Sequence, residues 1–188
     1  MGHDIHLAGH AFALRPIRLS DAALVVELRA DADRTRHLNS ITQTVTAQEA
    51  YLAAYLTREN DYYFVIEDRA TGRAEGLIGL YGVDPQAGRG EAGRWILRHG
   101  SLAAVESALL IYRVAFERLQ LDEVLCLTTT DNTRVVSFHD SCGLERRNVR
   151  PRDVQIGERW CDRQEHVLTR QHWPTVAAKL DRLAQCVT

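Results

Sequence analysis

Hydrophobic and polar positions along the chain alternate between two rhythms. Ala11–Arg18 (AFALRPIR) reads as a first strand, and Leu24, Val25 and Leu28 then recur at helical spacing. Ser20 is expected to cap that helix, with Asp21 in its first turn and its end near Ala32. Arg34 to Val45 is polar and irregular; Thr46 and Glu49 have the spacing of a capping box opening a second helix. Tyr62–Glu67 (YYFVIE) is rich in aromatic and β-branched residues and predicts a strand, followed by a Thr71-Gly72 turn. Further strands are expected over Glu75–Val83 and Glu91–Leu97, separated by a loop at Pro85–Gly90.

The longest helical pattern runs from Leu102, behind a cap at Ser101, to about Leu119. Glu106, Arg113 and Glu117 form one narrow polar stripe, so the rest of its surface is expected to be buried against a sheet. A strand at Glu123–Thr130, a helix at Thr133–Ser141, strands near Leu144–Val149 and Gln155–Thr169, and an amphipathic helix from about Pro174 to Ala184 complete the reading. The order β, α, α, β, β, β, α, β, α, β, β predicts an α+β fold. No composition shift or repeat divides the chain, so residues 1–188 are read as one domain, with its core over about 10–173.

Composition narrows the function classes. The chain has 188 residues, 45% hydrophobic and 26% charged, enough for a full core. No apolar run is long enough to cross a bilayer, and Met1–His6 has no basic segment leading into an apolar core, so a cytoplasmic protein without a signal peptide is expected. The net charge of −2 does not suit a nucleic-acid binder. The one basic run holds Arg146, Arg147, Arg150 and Arg152; it reads as a solvated strand edge before it reads as a phosphate site. Cys126, Cys142, Cys161 and Cys186 show no CxxC spacing, so free thiols rather than a metal site or disulfides are expected. Cys142 is read as a packing residue before an acyl nucleophile.

Two motifs carry chemistry. The first is Glu91-Ala-Gly93-Arg-Trp95-Ile96-Leu97, followed by Arg98-His-Gly100-Ser101-Leu102-Ala103-Ala104-Val105. The second is Asn132-Thr-Arg-Val-Val-Ser-Phe138-His139-Asp-Ser-Cys-Gly143-Leu144. Together, over roughly residues 10–173, they resemble the GNAT acetyltransferases. The first is similar to the Glu-x-Gly-x-Trp-x-Leu strand of RimJ/RimL-type enzymes. The second is similar to the GNAT pattern Asn-x-x-Ser/Ala-x-x-Leu-Tyr-Glu-Lys-x-Gly-Phe.

The resemblance implies a mixed, mostly antiparallel sheet of about seven strands flanked by helices, with acetyl-CoA as co-substrate and no metal. It implies that the pantetheine arm pairs with a splayed strand at Trp95, Ile96 and Leu97, aided by Asn132 and Phe138. The pyrophosphate would meet the amides of Arg98 and Gly100 to Val105. Ser101 departs from the family's phosphate loop, which usually has glycine there.

Glu91 is the implied general base, the alternative being a surface Glu in a Gly-rich turn. His139 stands where many relatives have a tyrosine that protonates the CoA sulfur; the alternative is a packed imidazole. Asn132 is equally suited to a helix cap. A looser likeness to PseH/FlmH-type enzymes, around Leu28-Arg29 and Tyr63-Phe64-Val65, implies a nucleotide-linked amino sugar as acceptor, with Arg29, His37 and the Arg146–Arg152 cluster near its sugar or phosphate; Tyr81 is a further candidate to contact the acceptor. A RimJ/RimL-like protein N-terminus, a small amine, or a non-catalytic acyl-CoA-binding module are the other readings. A homodimer is left open.

Overall fold

The computed structural model describes residues 2–31, 35–38 and 44–186. Eight strands form one sheet in the order β1-β2-β3-β4-β5-β6-β8-β7. They are β1 (Leu7–Ala8), β2 (Phe12–Pro16), β3 (Tyr62–Asp68), β4 (Ala74–Asp84), β5 (Arg89–Leu97), β6 (Glu123–Thr129), β7 (Glu145–Ile156) and β8 (Arg159–Thr169). Five α-helices are described: α1 (Ala22–Arg29), α2 (Val45–Tyr55), α3 (Ala104–Arg113), α4 (Thr133–Cys142) and α5 (Trp173–Gln185). A π-turn, Val114–Arg118, extends α3. The sheet is antiparallel except where β5 meets β6. A parallel pair needs a long crossover, and α3 supplies it.

Helices cover both sheet faces. On one, Val25 and Leu28 of α1 and Leu52 and Tyr55 of α2 pack on Tyr63, Val65, Leu77 and Ile96. On the other, Leu109, Tyr112 and Phe116 pack with Trp173, Val176 and Leu180 of α5 over Phe64, Ile78, Leu80 and Val124. Alternate residues of each strand therefore serve two cores, which is why β3 and β4 read as near-continuous apolar runs.

Several expectations shift. The strand count is eight rather than about seven, because the N-terminal segment adds β1 against β2. That segment is docked: His3 lies against Phe64, ring centroids 4.4 Å apart, and bonds the Tyr63 carbonyl oxygen. Ser20 is not the cap of α1. The buried Asp21 turns the chain instead, accepting the Arg18 amide at 2.7 Å and a bidentate pair from Arg15. The second helix starts at Thr44, whose hydroxyl accepts the Ala47 amide, so Thr46 and Glu49 form no capping box. The strand expected near Leu144–Val149 is longer: β7 holds the whole Arg-rich run at the edge of the sheet and reaches Ile156 before a turn at Gly157. Ala32 and Arg34 lie outside the described residues.

Glu106 is buried rather than part of an outer polar stripe. Its carboxylate accepts the amides of His10, Ala11 and Phe12. A Cβ on Gly9 would lie 2.1 Å from Glu106 Oε1, so glycine is required where the N-terminal segment wraps this acid. The carboxylate is thereby turned away from the open first turn of α3.

Candidate active site

The site begins where the sheet divides. β5 and β6 pair over three rungs: Arg89 with Glu123, Gly90 with Val124 and Glu91 with Leu125. Beyond Glu91, β5 stays bonded to β4 while β6 stays bonded to β8, and no rung joins them. A bulge drives the separation. Arg94 and Trp95 together oppose Ile78, and Arg94 has a left-handed φ of 50°. A bulge adds local bend and twist, so the β6-facing edge of Ala92–Ile96 leaves its former neighbour.

Each residue of Glu91-x-Gly93-x-Trp95 has a place at this fork. Glu91 sits at its vertex, and Tyr81 on β4 donates its hydroxyl to Glu91 Oε1 at 2.8 Å. A Cβ on Gly93 would stand 2.6 Å from the Tyr81 hydroxyl, so only glycine leaves room for that bond. Burial, then the Glu91 charge, push the Tyr81 phenol far above its ordinary range, so it acts as a donor. Trp95 projects to the opposite face. Its indole donates to Ser107 of α3 at 3.1 Å, and its ring lies 5.1 Å from Phe138 and 6.5 Å from His139 of α4. The two motifs of the sequence thus meet on one side of the fork.

The loop after β5 turns at Gly100, φ 74°, with the Ser101 amide donating to the Arg98 carbonyl. Ser101 Oγ accepts the Ala103 amide at 3.3 Å, and no side chain caps α3. First-turn amides have no partner within their own helix, so Ala104 and Val105 present donors and the positive end of the helix dipole. Leu102 beside them is 64% exposed. The Arg98 side chain is not gathered here: its guanidinium binds Glu27 of α1 and the Ala74 carbonyl oxygen. Asn132 is the N-cap of α4, accepting the Val135 amide through Oδ1.

His139 is buried, and burial followed by the nearby His166 pulls its imidazole down to about 4. It is neutral near pH 7. Cys142 is buried, with its thiol pushed up to about 11, so it is no activated nucleophile. All four cysteines are free.

The α1/α2 face of the fork carries residues that sequence reasoning passed over. Arg94 binds Asp61 in a bidentate pair at 2.6 and 2.8 Å and lies 4.4 Å above the Tyr81 ring. Arg163 of β8 binds Asp153 at 2.6 Å and approaches Glu91 at 3.6 Å. Arg94 lay inside the motif, but its turn toward this face depends on the bulge; nothing local marked Asp61, Arg163 or Asp153. His37 reaches the end of β6, its Nδ1 3.1 Å from Thr129 Oγ1 and 3.2 Å from Asp131. Arg29 is half-buried near Tyr63 and Tyr51. The basic run on β7 is neutralised locally: Arg146 meets Asp140, Arg147 meets Glu123 and Glu145, and Arg150 meets Glu165.

Residues 12–145 match the family model for the acetyltransferase (GNAT) domain. The chain belongs to the GNAT acetyltransferases. As a member of that family it is an acyltransferase, and solved acetyltransferases share its fold. A putative acetyltransferase from T. thermophilus matches with a TM-score of 0.82 at 21% identity, over 97% of this chain and 98% of that one. A GCN5-related N-acetyltransferase from Brucella melitensis matches with a TM-score of 0.84 at 18% identity, over 96% of this chain and 85% of that one. The spermidine N-acetyltransferase of Vibrio cholerae, solved with CoA and spermine, matches with a TM-score of 0.79 at 15% identity, over 87% of this chain and 98% of that one. No curated protein matches the sequence. Among the described residues of this GNAT enzyme, no group of acids, cysteines or histidines is placed to hold a metal ion, and no helix is long and apolar enough to cross a membrane.

Proposed function

We propose that this chain transfers the acetyl group of acetyl-CoA to a primary amine, and that the fork beyond Glu91 and Leu125 is where it does so. The observation that carries the reading is the end of the β5–β6 ladder at that rung. Unzipped main chain along Ala92–Ile96 suits the amides of a pantetheine arm, and the uncapped first turn of α3 suits a pyrophosphate. Acetyl-CoA supplies the thioester. Glu91 takes the proton of the attacking amine, directly or through water, while Tyr81 holds its carboxylate in place. His139 faces the sulfur side, across the fork from Glu91. Placement of the two reactants supplies about 7–11 kcal/mol of the barrier, and proton transfer about 10²–10⁴-fold more.

The acceptor enters from the α1/α2 face, where Tyr81, Arg94 and Arg163 adjoin Glu91, with Arg29 and His37 as further candidates to contact it. Asp61 and Asp153 there are each bound to a guanidinium rather than left as an open acidic array. That balance favours an amine carrying polar or anionic groups, as in a nucleotide-linked amino sugar. The spermine complex of the Vibrio cholerae neighbour supports a small polyamine as the second reading.

Two measurements test this. Acetyl-CoA is expected to raise the melting temperature, and thiol release is expected with nucleotide amino sugars ahead of spermidine and peptide N-termini. No stabilisation by acetyl-CoA would remove the donor site. Turnover confined to spermidine would reverse the acceptor order.

A further inference from the structure

Behind His139 lies a second imidazole that the acetyl-transfer reading does not use. His166 on β8 is wholly buried, opposite Cys126 of β6. Its Nε2 stands 2.9 Å from Asp140 Oδ1, and its ring centroid is 5.3 Å from that of His139. Nδ1 of each ring is buried and has no hydrogen-bond partner among the described residues. An orphaned buried polar atom costs about 1–3 kcal/mol, so two apolar side chains would fill this space at less expense. Asp140, by contrast, is 38% exposed and reaches Arg146 at the surface. A path of polar atoms therefore runs from solvent through Asp140 and His166 to His139, which adjoins Trp95 at the fork.

We propose that Asp140 and His166 are positioning residues that hand a proton from solvent to His139 as the CoA thiolate leaves. The proposal rests on the acetyl-transfer reading above. The sulfur takes the proton from His139 Nε2, and His139 Nδ1 takes one from His166 Nδ1 over one water. His166 Nε2 takes a proton from solvent along Asp140 as its Nδ1 gives one up. One proton enters from water and one leaves on sulfur; each ring ends as its other tautomer, and the starting tautomers return once CoA has left, when His139 Nε2 takes a proton from the open fork and Nδ1 passes its own back through His166 and Asp140 to solvent. A neutral buried imidazole is a poor proton store, and the relay removes the need for His139 to be one. Like charges this close repel, so the two rings are not charged together.

The other titratable groups around the pair suit this role. Cys126 and Tyr112 bond each other at 3.4 Å, and burial pushes both far from ionisation. Cys142 is likewise protonated. Lys179 of α5 is held by the Ser141 carbonyl oxygen, and Arg146 lies on the solvent side of Asp140.

The variants are His166→Gln and Asp140→Asn. Both are expected to keep stabilisation by acetyl-CoA and the KM for the amine, while kcat falls about 10–100-fold and its alkaline limb moves to lower pH. A kcat profile of unchanged shape, with only the melting temperature lowered, would overturn the proposal. Imidazole NMR titration supplies a readout that needs no acceptor. In His166→Gln the His139 signals are expected to titrate about one pH unit or more higher than in the wild type, the like charge having gone; an unmoved titration overturns the coupling. If the wild type turns over no amine, the acetyl-transfer reading fails, and the NMR arm still decides whether the two rings are coupled.

Discussion

The Tyr81 hydroxyl donates to Glu91 Oε1 across 2.8 Å, and the bond exists only because residue 93 has no side chain. It joins two strands at the vertex of the fork and fixes the carboxylate proposed as the general base. Glu91→Gln is expected to lower kcat/KM about 10²–10³-fold, and Tyr81→Phe about 10-fold. Gly93→Ala should behave like Tyr81→Phe in steady-state assays and also destabilise the fold by about 1–3 kcal/mol. Wild-type kinetics in Tyr81→Phe would show that the bond does not position the base.

Asp61 and Arg94 form a largely buried pair, with side chains 10% and 25% exposed. Removing one partner leaves the other charge uncompensated, which costs about 3–5 kcal/mol. Asp61→Asn is expected near the low end of that range by urea denaturation, because Arg94 keeps its contacts with the Tyr81, Tyr63 and Tyr55 rings.

His139 links stability to pH. Its folded-state value of about 4 lies below the ordinary 6.5, so between these values the unfolded chain binds more protons than the folded one. The stability it contributes is present above about pH 6.5 and is lost as pH falls toward 4, on the order of 3 kcal/mol in all. Urea midpoints at pH 7 and pH 4.5 should differ clearly in the wild type. The difference should shrink in His139→Phe.

Glu106 ties the N-terminal segment to α3 through three backbone amides. Glu106→Ala is expected to cost about 3 kcal/mol, since charged hydrogen bonds contribute about 1.5–3 kcal/mol each and water recovers part of the loss. Limited proteolysis should then cut ahead of β2, where the wild type resists.

The helix and strand order, the glycine-marked turns and both functional motifs were legible in the chain, because period, turn chemistry and motif spacing are local properties. Caps were less legible. Ser20 and Thr46 have the right chemistry, but Asp21 and Thr44 are the residues whose backbone geometry lets them bind the amides. Glu106 resembled a solvated acid for the same reason: the amides that bury it come from residues 10–12, ninety-odd positions away.

What the sequence settled alone was thus the kind of fold and the place of the strand-loop-helix segment within it. What only tertiary structure decided was the company each side chain keeps. The bulge turns Arg94 onto the face of Glu91 and Tyr81, Arg98 is drawn away by Glu27, and His166 arrives beside His139 from a strand far along the chain. Those pairings depend on register and twist, which are fixed by the packing of the whole sheet and leave no mark in any short stretch of residues.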